Sequence, residues 1–358
     1  MQMVINGRFL GAPQTGVQRV AANLILALDR LLTESGRASG GDWLVSAPRG
    51  VKCGLPLGAM QFRGESVLRG QAWEQFELPM ATERAGLINL CNAGPLMAPS
   101  ALTVIHDAQV YLAPESYSPA FRRWYRVALP RLAARSRHVV TVSEFSKRML
   151  ARFGVAPLER IKVIPNGADH ILAVEPDAGV LERLGLASAA YVFAFGSLQP
   201  HKNLSLLLRA FADPALKDLR LVVGGGLDAA AVQAAFGIVP GRNVLFAGRL
   251  TDGEIRALLA SAACLACPST TEGFGLPPLE AMILGCPALT SPAGAMQEVC
   301  GSAASYAPPD DVSAWVAALG AIAGDASGRE GRGREARAHA GQYSWRRSAE
   351  QLHGLLAT

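Results

Sequence analysis

The sequence predicts an α/β protein made of two Rossmann-like domains whose parallel sheets face an inter-domain cleft. Three observations point there. The chain has 358 residues, and a prior of about 150 residues per domain makes two. Apolar runs of four to seven residues alternate with helical patterns along the whole length, as parallel strands joined by right-handed crossovers require. The alternation pauses once, behind the turn signal PNGAD at 165–169, and then restarts.

In the first half the expected strands are Val4–Ile5, Trp43–Ser46, Leu87–Leu90, Leu102–His106, His138–Val142 and Ile161–Ile164. Val17, Val20, Ala21, Leu24, Leu28 and Leu31 trace one helical stripe over Val17–Leu32, and Ser143 is a good N-cap for a further helix. Residues 173–188 read as a linker between a domain at 1–172 and a second at 189–340. The second domain should contain strands at Tyr191–Phe195, Leu219–Val223, Asn243–Ala247, Cys264–Cys267 and Ala288–Thr290. Thr251 and Glu254 have capping-box spacing, so a helix is expected from Asp252. Gly324–Gly341, rich in Gly, Ala and Arg, reads as a loose helix or linker. A C-terminal helix over 341–358 is expected to pack back on the first domain.

No run approaches the ~20 apolar residues of a membrane span, and the N-terminus lacks a signal-peptide core, which predicts a cytoplasmic protein. Cys264 and Cys267 form a CxxC, but no second CxxC or histidine pair accompanies it, so buried strand thiols are expected. The net charge of +5 is uneven: residues 121–152 carry nine Lys or Arg against Glu144, a local +8 that leaves −3 elsewhere. Arg122, Arg123, Arg126, Arg131, Arg135 and Arg137 fall on one expected helix, which Pro130 should break or kink. Such a face either is simply solvated or attracts an anionic surface, membrane lipid or a phosphate-bearing acceptor. Thin aromatic interleaving and the lack of a binding motif argue against nucleic acid.

Ligands of open α/β sheets bind at the carboxyl ends of strands, and the stretch TTEGFGLPPLEAM lies at one. Pro277 and Pro278 suit a first helical turn, over about Pro277 to Leu284 with Gly285 as C′ residue. Glu280 is then expected in the first turn, favoured by the helix dipole. Gly273 and Gly275 let the backbone approach an anion, and the carboxylates of Glu272 and Glu280 can accept hydrogen bonds from vicinal hydroxyls.

EGFGLPPLEAM resembles the E-x7-E signature of family-4 (group 1) retaining glycosyltransferases, which have the GT-B fold. The similarity continues in TGVQRVAANLILAL, TVIHDAQVYLAPE, TVSEFSKRML, VIPNGAD, FAFGSLQPHKNL and SPAGAMQEVCGSAASYAPPDD, an ordered series over most of the chain. The resemblance implies that Glu280 binds the ribose of a nucleotide-sugar and Glu272 the reacting side of the donor sugar. It implies that Phe274, Gly275 and Leu276 offer backbone N–H groups to the diphosphate, that Lys202 neutralises it as it leaves, and that His106 lies at the donor sugar. Asp107 follows that histidine. Gly16 leads a helix whose N-terminus can face the diphosphate. Gly196 and Ser197 begin the phosphate loop. Many relatives carry arginine where this chain has Ser197, and arginine is usual where His201 stands. Arg249 and Arg19 are candidate helpers for the thinner phosphate compensation.

The resemblance therefore implies transfer of a hexose, mannose from GDP-mannose being the leading choice, to a glycan or lipid-linked glycan. The enzyme would sit peripherally at the inner membrane face. No DxD motif is present, so no metal and no cofactor beyond the nucleotide-sugar co-substrate are expected. GT-B phosphorylases, nucleotide-sugar epimerases and a non-catalytic sugar-binding subunit are the alternatives.

Overall fold

The computed structural model describes residues 2–36, 42–186 and 190–357. The chain divides into two compact units, Met1–Gly167 together with Ser344–Thr358, and Ala168–Tyr343.

The first unit is built on seven parallel strands: β1 Met3–Asn6, β2 Trp43–Ser46, β3 Gln61–Arg63, β4 Gly86–Asn89, β5 Ser100–Val104, β6 Ser136–Thr141 and β7 Ile161–Val163. Their order is β3-β2-β1-β4-β5-β6-β7, so the direction of winding reverses between β1 and β4. Central strands are apolar on both faces, as Val4, Ile5, Leu87, Ile88, Leu102, Val139 and Val140 show by their burial. The helix Gly16–Glu34 buries Val20, Ala21, Leu24, Ile25, Leu28 and Leu32, and the helix Trp345–Ala357 packs along it. Arg346 against Glu34 at 2.8 Å fastens that contact, and Ser348 Oγ, donating to the Pro165 carbonyl at 2.6 Å, ties the C-terminal helix to the turn after β7.

The second unit has six parallel strands: β8 Tyr191–Phe195, β9 Arg220–Gly224, β10 Val244–Gly248, β11 Cys264–Cys267, β12 Ala288–Thr290 and β13 Ser305–Tyr306. The order β10-β9-β8-β11-β12-β13 reverses between β8 and β11. Strand period two sends Val192 and Ala194 into one core with Trp315 and Leu204. Tyr191 and Phe193 go into the other, with Leu258 and Ala281.

Several sequence expectations need correction. The stretch read as a linker is part of the second unit: Gly179–Arg183 is helical, and Val180 and Leu186 are buried in the core beside Phe193 and Leu258. Residues 187 and 188, at its end, and 189, the expected start of the second domain, lie outside the described residues. Pro130 does not end its helix, which runs from Pro119 to Arg135 because Ala128, Leu129, Leu132 and Ala133 anchor both sides of the proline in the core. Gly324–Gly341 contains a regular helix, Ala326–Ala340, opened by Asp325 accepting from the Gly328 N–H at 2.8 Å. Strands β3 and β13 are too short to have a readable pattern. Among the described residues no helix is long and apolar enough to cross a membrane.

Candidate active site

Lys202 and Glu272 meet at the winding reversal of the second unit. The loop leaving β8 starts with Gly196, whose N–H donates to the Gly224 carbonyl at 2.7 Å, and Ser197, whose Oγ accepts from the Gln199 N–H at 3.2 Å. A 3-10 turn, Pro200–Lys202, follows, and Asn203 closes it in the left-handed conformation, φ +53°. Asn203 Nδ2 donates to the carbonyls of Pro268 and Pro309 at 3.1 and 2.7 Å. The Thr270 N–H donates to the carbonyl of His201, itself buried, at 2.8 Å. The bonds to Pro268 and Thr270 pin the loop after β8 to the loop after β11, which are neighbours because the two strands pair, and the bond to Pro309 ties it to the segment after β13. Lys202 Nζ therefore reaches Glu272 Oε1 at 2.8 Å, and Ser269 Oγ donates to the same oxygen at 2.6 Å.

Burial pushes the Glu272 carboxyl up. The Lys202 charge and hydrogen bond, the Ser269 hydroxyl and nearby His201 outweigh it, so the group stays below its ordinary value and ionised. Its backbone is clamped as well. The Ala295 N–H donates to the Glu272 carbonyl at 2.9 Å. Gly294 (φ +68°) passes so close that a Cβ there would lie 2.4 Å from the Glu272 nitrogen and carbonyl oxygen.

Gly275, at φ +94°, is the N-cap of the helix Leu276–Ile283. Pro277 and Pro278 carry no N–H, which leaves the Leu276 N–H as the donor of that helix's first three residues. Phe274 is buried, its ring edge-on to Tyr343 at 6.0 Å, so its side chain belongs to the core and its backbone to the loop. Gly273 is also buried. Glu280 is the fifth helical residue and not in the first turn, because the helix begins at Leu276. The proposed dipole contribution does not apply to it. Instead it lies 3.0 Å from His170 Nε2, with both side chains more than nine-tenths buried. Arg249 is exposed just past β10, beside Gly226 in the loop after β9. Cys264 and Cys267 are free thiols, and burial pushes Cys267 up to about 11. Among the described residues no three His, Cys, Asp or Glu are gathered as for a metal.

In the first unit His106 follows β5. Its Nε2–H donates to the Leu90 carbonyl at 2.8 Å, and its backbone N–H donates to Asn92 Oδ1 at 2.7 Å. Burial lowers its pKa to about 4 against the upward pull of the Leu90 bond, so the ring is neutral. Asp107 Oδ1 accepts from the Gln109 N–H at 2.9 Å and starts the next turn. Gly16 is exposed at the start of its helix, which Thr15 and Gln18 close with a capping box. Arg123 and Arg126 are exposed and Arg122 is half-buried, beside Phe121, Trp124 and Val127, each 40–42% exposed. Ser269 and His170 were not expected from sequence. Ser269 lies three residues before Glu272, a spacing that could have flagged it; His170 lies 110 positions from Glu280 and gives no local signal.

Residues 189–325 match the family described as glycosyl transferases group 1, and residues 82–171 match glycosyltransferase family 4. The chain is 30% identical to the O-antigen chain mannosyltransferase B of Escherichia coli over 261 residues, 70% of this chain and 68% of that one. The chain belongs to the group 1, family 4 glycosyltransferases. This glycosyltransferase is also 32% identical to the MMP alpha-(1->4)-mannosyltransferase of Mycolicibacterium hassiacum, over 66% of its length and 59% of the relative's. Its structure superposes on Anabaena HepE, solved in complex with UDP-glucose, with a TM-score of 0.75 at 20% identity, covering 100% and 99% of the two chains. The glycosyltransferase thus has the GT-B fold. Lys202, Glu272 and Glu280 lie in the stretch matched as group 1; His106, Asp107 and the basic helix lie in the stretch matched as family 4.

Proposed function

We propose that this glycosyltransferase moves a hexose, with retention at the anomeric carbon, from a nucleotide diphosphate donor to a hydroxyl of a glycan or lipid-linked glycan. The observation that carries the reading is the Lys202–Glu272 pair at the strand ends, 2.8 Å apart. Cleaving the anomeric bond loads negative charge on the departing phosphate, and a lysine fixed beside it stabilises that charge as it develops. Both bonds to Glu272 fall on Oε1, which leaves Oε2 for the donor sugar's hydroxyls. Glu280 takes the ribose hydroxyls, and the Leu276 N–H with the loop amides takes the diphosphate. The departing phosphate receives the acceptor's proton on the face it leaves, so no protein base and no metal ion are required. His106, neutral and fixed, offers shape and hydrogen bonding at the sugar.

Mannose from GDP-mannose is the proposed donor, supported by the two relatives named as mannosyltransferases. The helix Pro119–Arg135 is the proposed contact with an anionic membrane surface. Its exposed Phe121, Trp124 and Val127 can enter the interface while Arg122, Arg123 and Arg126 meet lipid phosphates.

A thermal-shift panel of nucleoside diphosphates tests the donor reading. GDP at 100 times its dissociation constant should add about 2.7 kcal/mol of apparent stability, more than UDP or ADP at equal concentration. Glu280→Gln should shrink that shift. A panel in which no nucleoside diphosphate raises the melting temperature would sink the reading, and a preference for UDP would replace the mannose donor.

A further inference from the structure

The first unit contains a chain of buried, hydrogen-bonded polar side chains that the donor-side roles leave unused. Ser136 Oγ donates to Thr103 Oγ1 at 2.7 Å, and Asn89 Nδ2 donates to the same Thr103 oxygen at 3.2 Å. Asn6 Nδ2 donates to Asn89 Oδ1 at 3.1 Å and to Glu74 Oε1 at 2.8 Å. The chain thus crosses β6, β5, β4 and β1 and ends on a carboxylate that is only 3% exposed, carried by a π-helical turn, Trp73–Glu77. Arg8 closes it: its Nε donates to Glu74 Oε1 at 2.9 Å, and its backbone N–H donates to Asn6 Oδ1 at 3.2 Å.

Apolar residues would fill this core at lower cost, since every polar group here had to be desolvated and then partnered. The network's product is an oriented guanidinium. Arg8 is 30% exposed on its side chain, and among the described residues its Nη1 and Nη2 make no hydrogen bond. It follows β1 at the carboxyl end, and β1 and β4 are the strands between which the winding reverses, where open α/β sheets bind ligands. Cys91 and Tyr125 lie close enough to feel the charges of both Arg8 and Glu74. Tyr125 belongs to the helix Pro119–Arg135 and feels Asp107 as well, so the specificity rests on Arg8 itself, whose two terminal nitrogens match the spacing of two phosphate oxygens.

We propose that Arg8 anchors a phosphate of the acceptor, its two terminal nitrogens forking onto the phosphate oxygens while Glu74 and the Asn6–Asn89–Thr103–Ser136 chain hold the guanidinium in place. This deepens the reading above and rests on it, by making the acceptor a diphosphate-bearing lipid carrier and not a free neutral glycan.

The test uses the full chain saturated with the nucleoside diphosphate that stabilises it most, titrated calorimetrically with farnesyl diphosphate. Wild type should bind it and should ignore farnesol. Arg8→Gln should weaken binding roughly ten- to hundredfold. Arg8→Lys keeps a positive charge opposite Glu74 but lacks the fork, and should fall between. Glu74→Gln, nearly isosteric, should lower the melting temperature by breaking the ion pair and should also weaken binding, while nucleoside diphosphate affinity stays near wild type. Competition by inorganic pyrophosphate would place recognition in the phosphates alone; no competition, with Arg8 still required, would place it in a lipid-borne phosphate. Equal affinity in wild type and all three variants overturns the proposal, as does binding of farnesol, or no binding of farnesyl diphosphate to a chain that takes up nucleoside diphosphate. Failure of the first saturation step would instead count against the donor reading.

Discussion

The two units share an architecture and use it differently. Each sheet reverses its winding once, between β1 and β4 in the first unit and between β8 and β11 in the second. At the second reversal two charged side chains touch directly, each delivered by a loop a few residues past its strand. At the first, one partly exposed arginine is held by Glu74 and Asn6, with Asn89, Thr103 and Ser136 on neighbouring strands extending the network behind them. In the reading proposed above, Lys202 and Glu272 are fixed side by side so that they meet the donor's phosphate and hydroxyls directly. A satisfied buried network resists rearrangement, so Arg8 is suited to register and not to chemistry.

That contrast is open to challenge at several strengths. The largest effect is expected from Lys202→Ala, which should cut sugar transfer roughly 10²- to 10³-fold, as loss of one preorganised charge-stabilising donor does. Steady-state rates with the identified donor measure it; a loss below tenfold would mean that the second reversal is not where charge develops. Next comes membrane partitioning. Each basic residue at an anionic surface is worth about 1 kcal/mol, so changing Arg122, Arg123 and Arg126 together to Gln should weaken binding to anionic vesicles roughly a hundredfold. Lys202→Ala should leave that binding alone. Vesicle sedimentation that is insensitive to the three arginines would remove the lipid role from the first unit.

The smallest effect separates the units by pH. His106 has its pKa lowered from 6.5 to about 4, so the unfolded chain takes up its proton first as pH falls. The stability contributed by the neutral ring is full above about pH 6.5 and is lost as pH drops toward 4. Glu272 is also depressed, from 4.5, and contributes stability present above about pH 4.5 and lost only below it. Between pH 6.5 and 4.5, His106→Gln should flatten the fall in melting temperature, whereas Glu272→Gln should leave that slope unchanged. Identical slopes for wild type and His106→Gln would show that the imidazole is not held neutral.

What could be read from the sequence follows the same divide. Glu272, Gly275, the two prolines and Gly285 lie within 14 consecutive positions; the prolines fix a helix start and the glycines permit the turns at either end, so the loop and the helix after it were legible. Lys202 was legible for the same reason, lying just past an obvious strand. His170 beside Glu280 and Glu74 beside Arg8 are contacts between residues far apart in sequence, and neither member carries a local signature of its partner. The turn that bears Glu74 is π-helical, with a hydrogen-bond spacing that neither the strand nor the α-helix period reveals. The misread linker holds only a five-residue helix, too short for Val180, Leu181 and Leu184 to stand out as a periodic stripe, although Val180 and Leu186 complete a core.

The helix Trp345–Ala357 has a consequence for the order in which the chain matures. Trp345 and Leu352 are buried against the helix Gly16–Glu34, some 310 or more positions upstream. During synthesis the later-encoded unit, which is contiguous, has all its parts as soon as Tyr343 leaves the ribosome. The earlier-encoded one must wait with an apolar flank uncovered until its final helix emerges, and nascent-chain proteolysis should find it vulnerable until then.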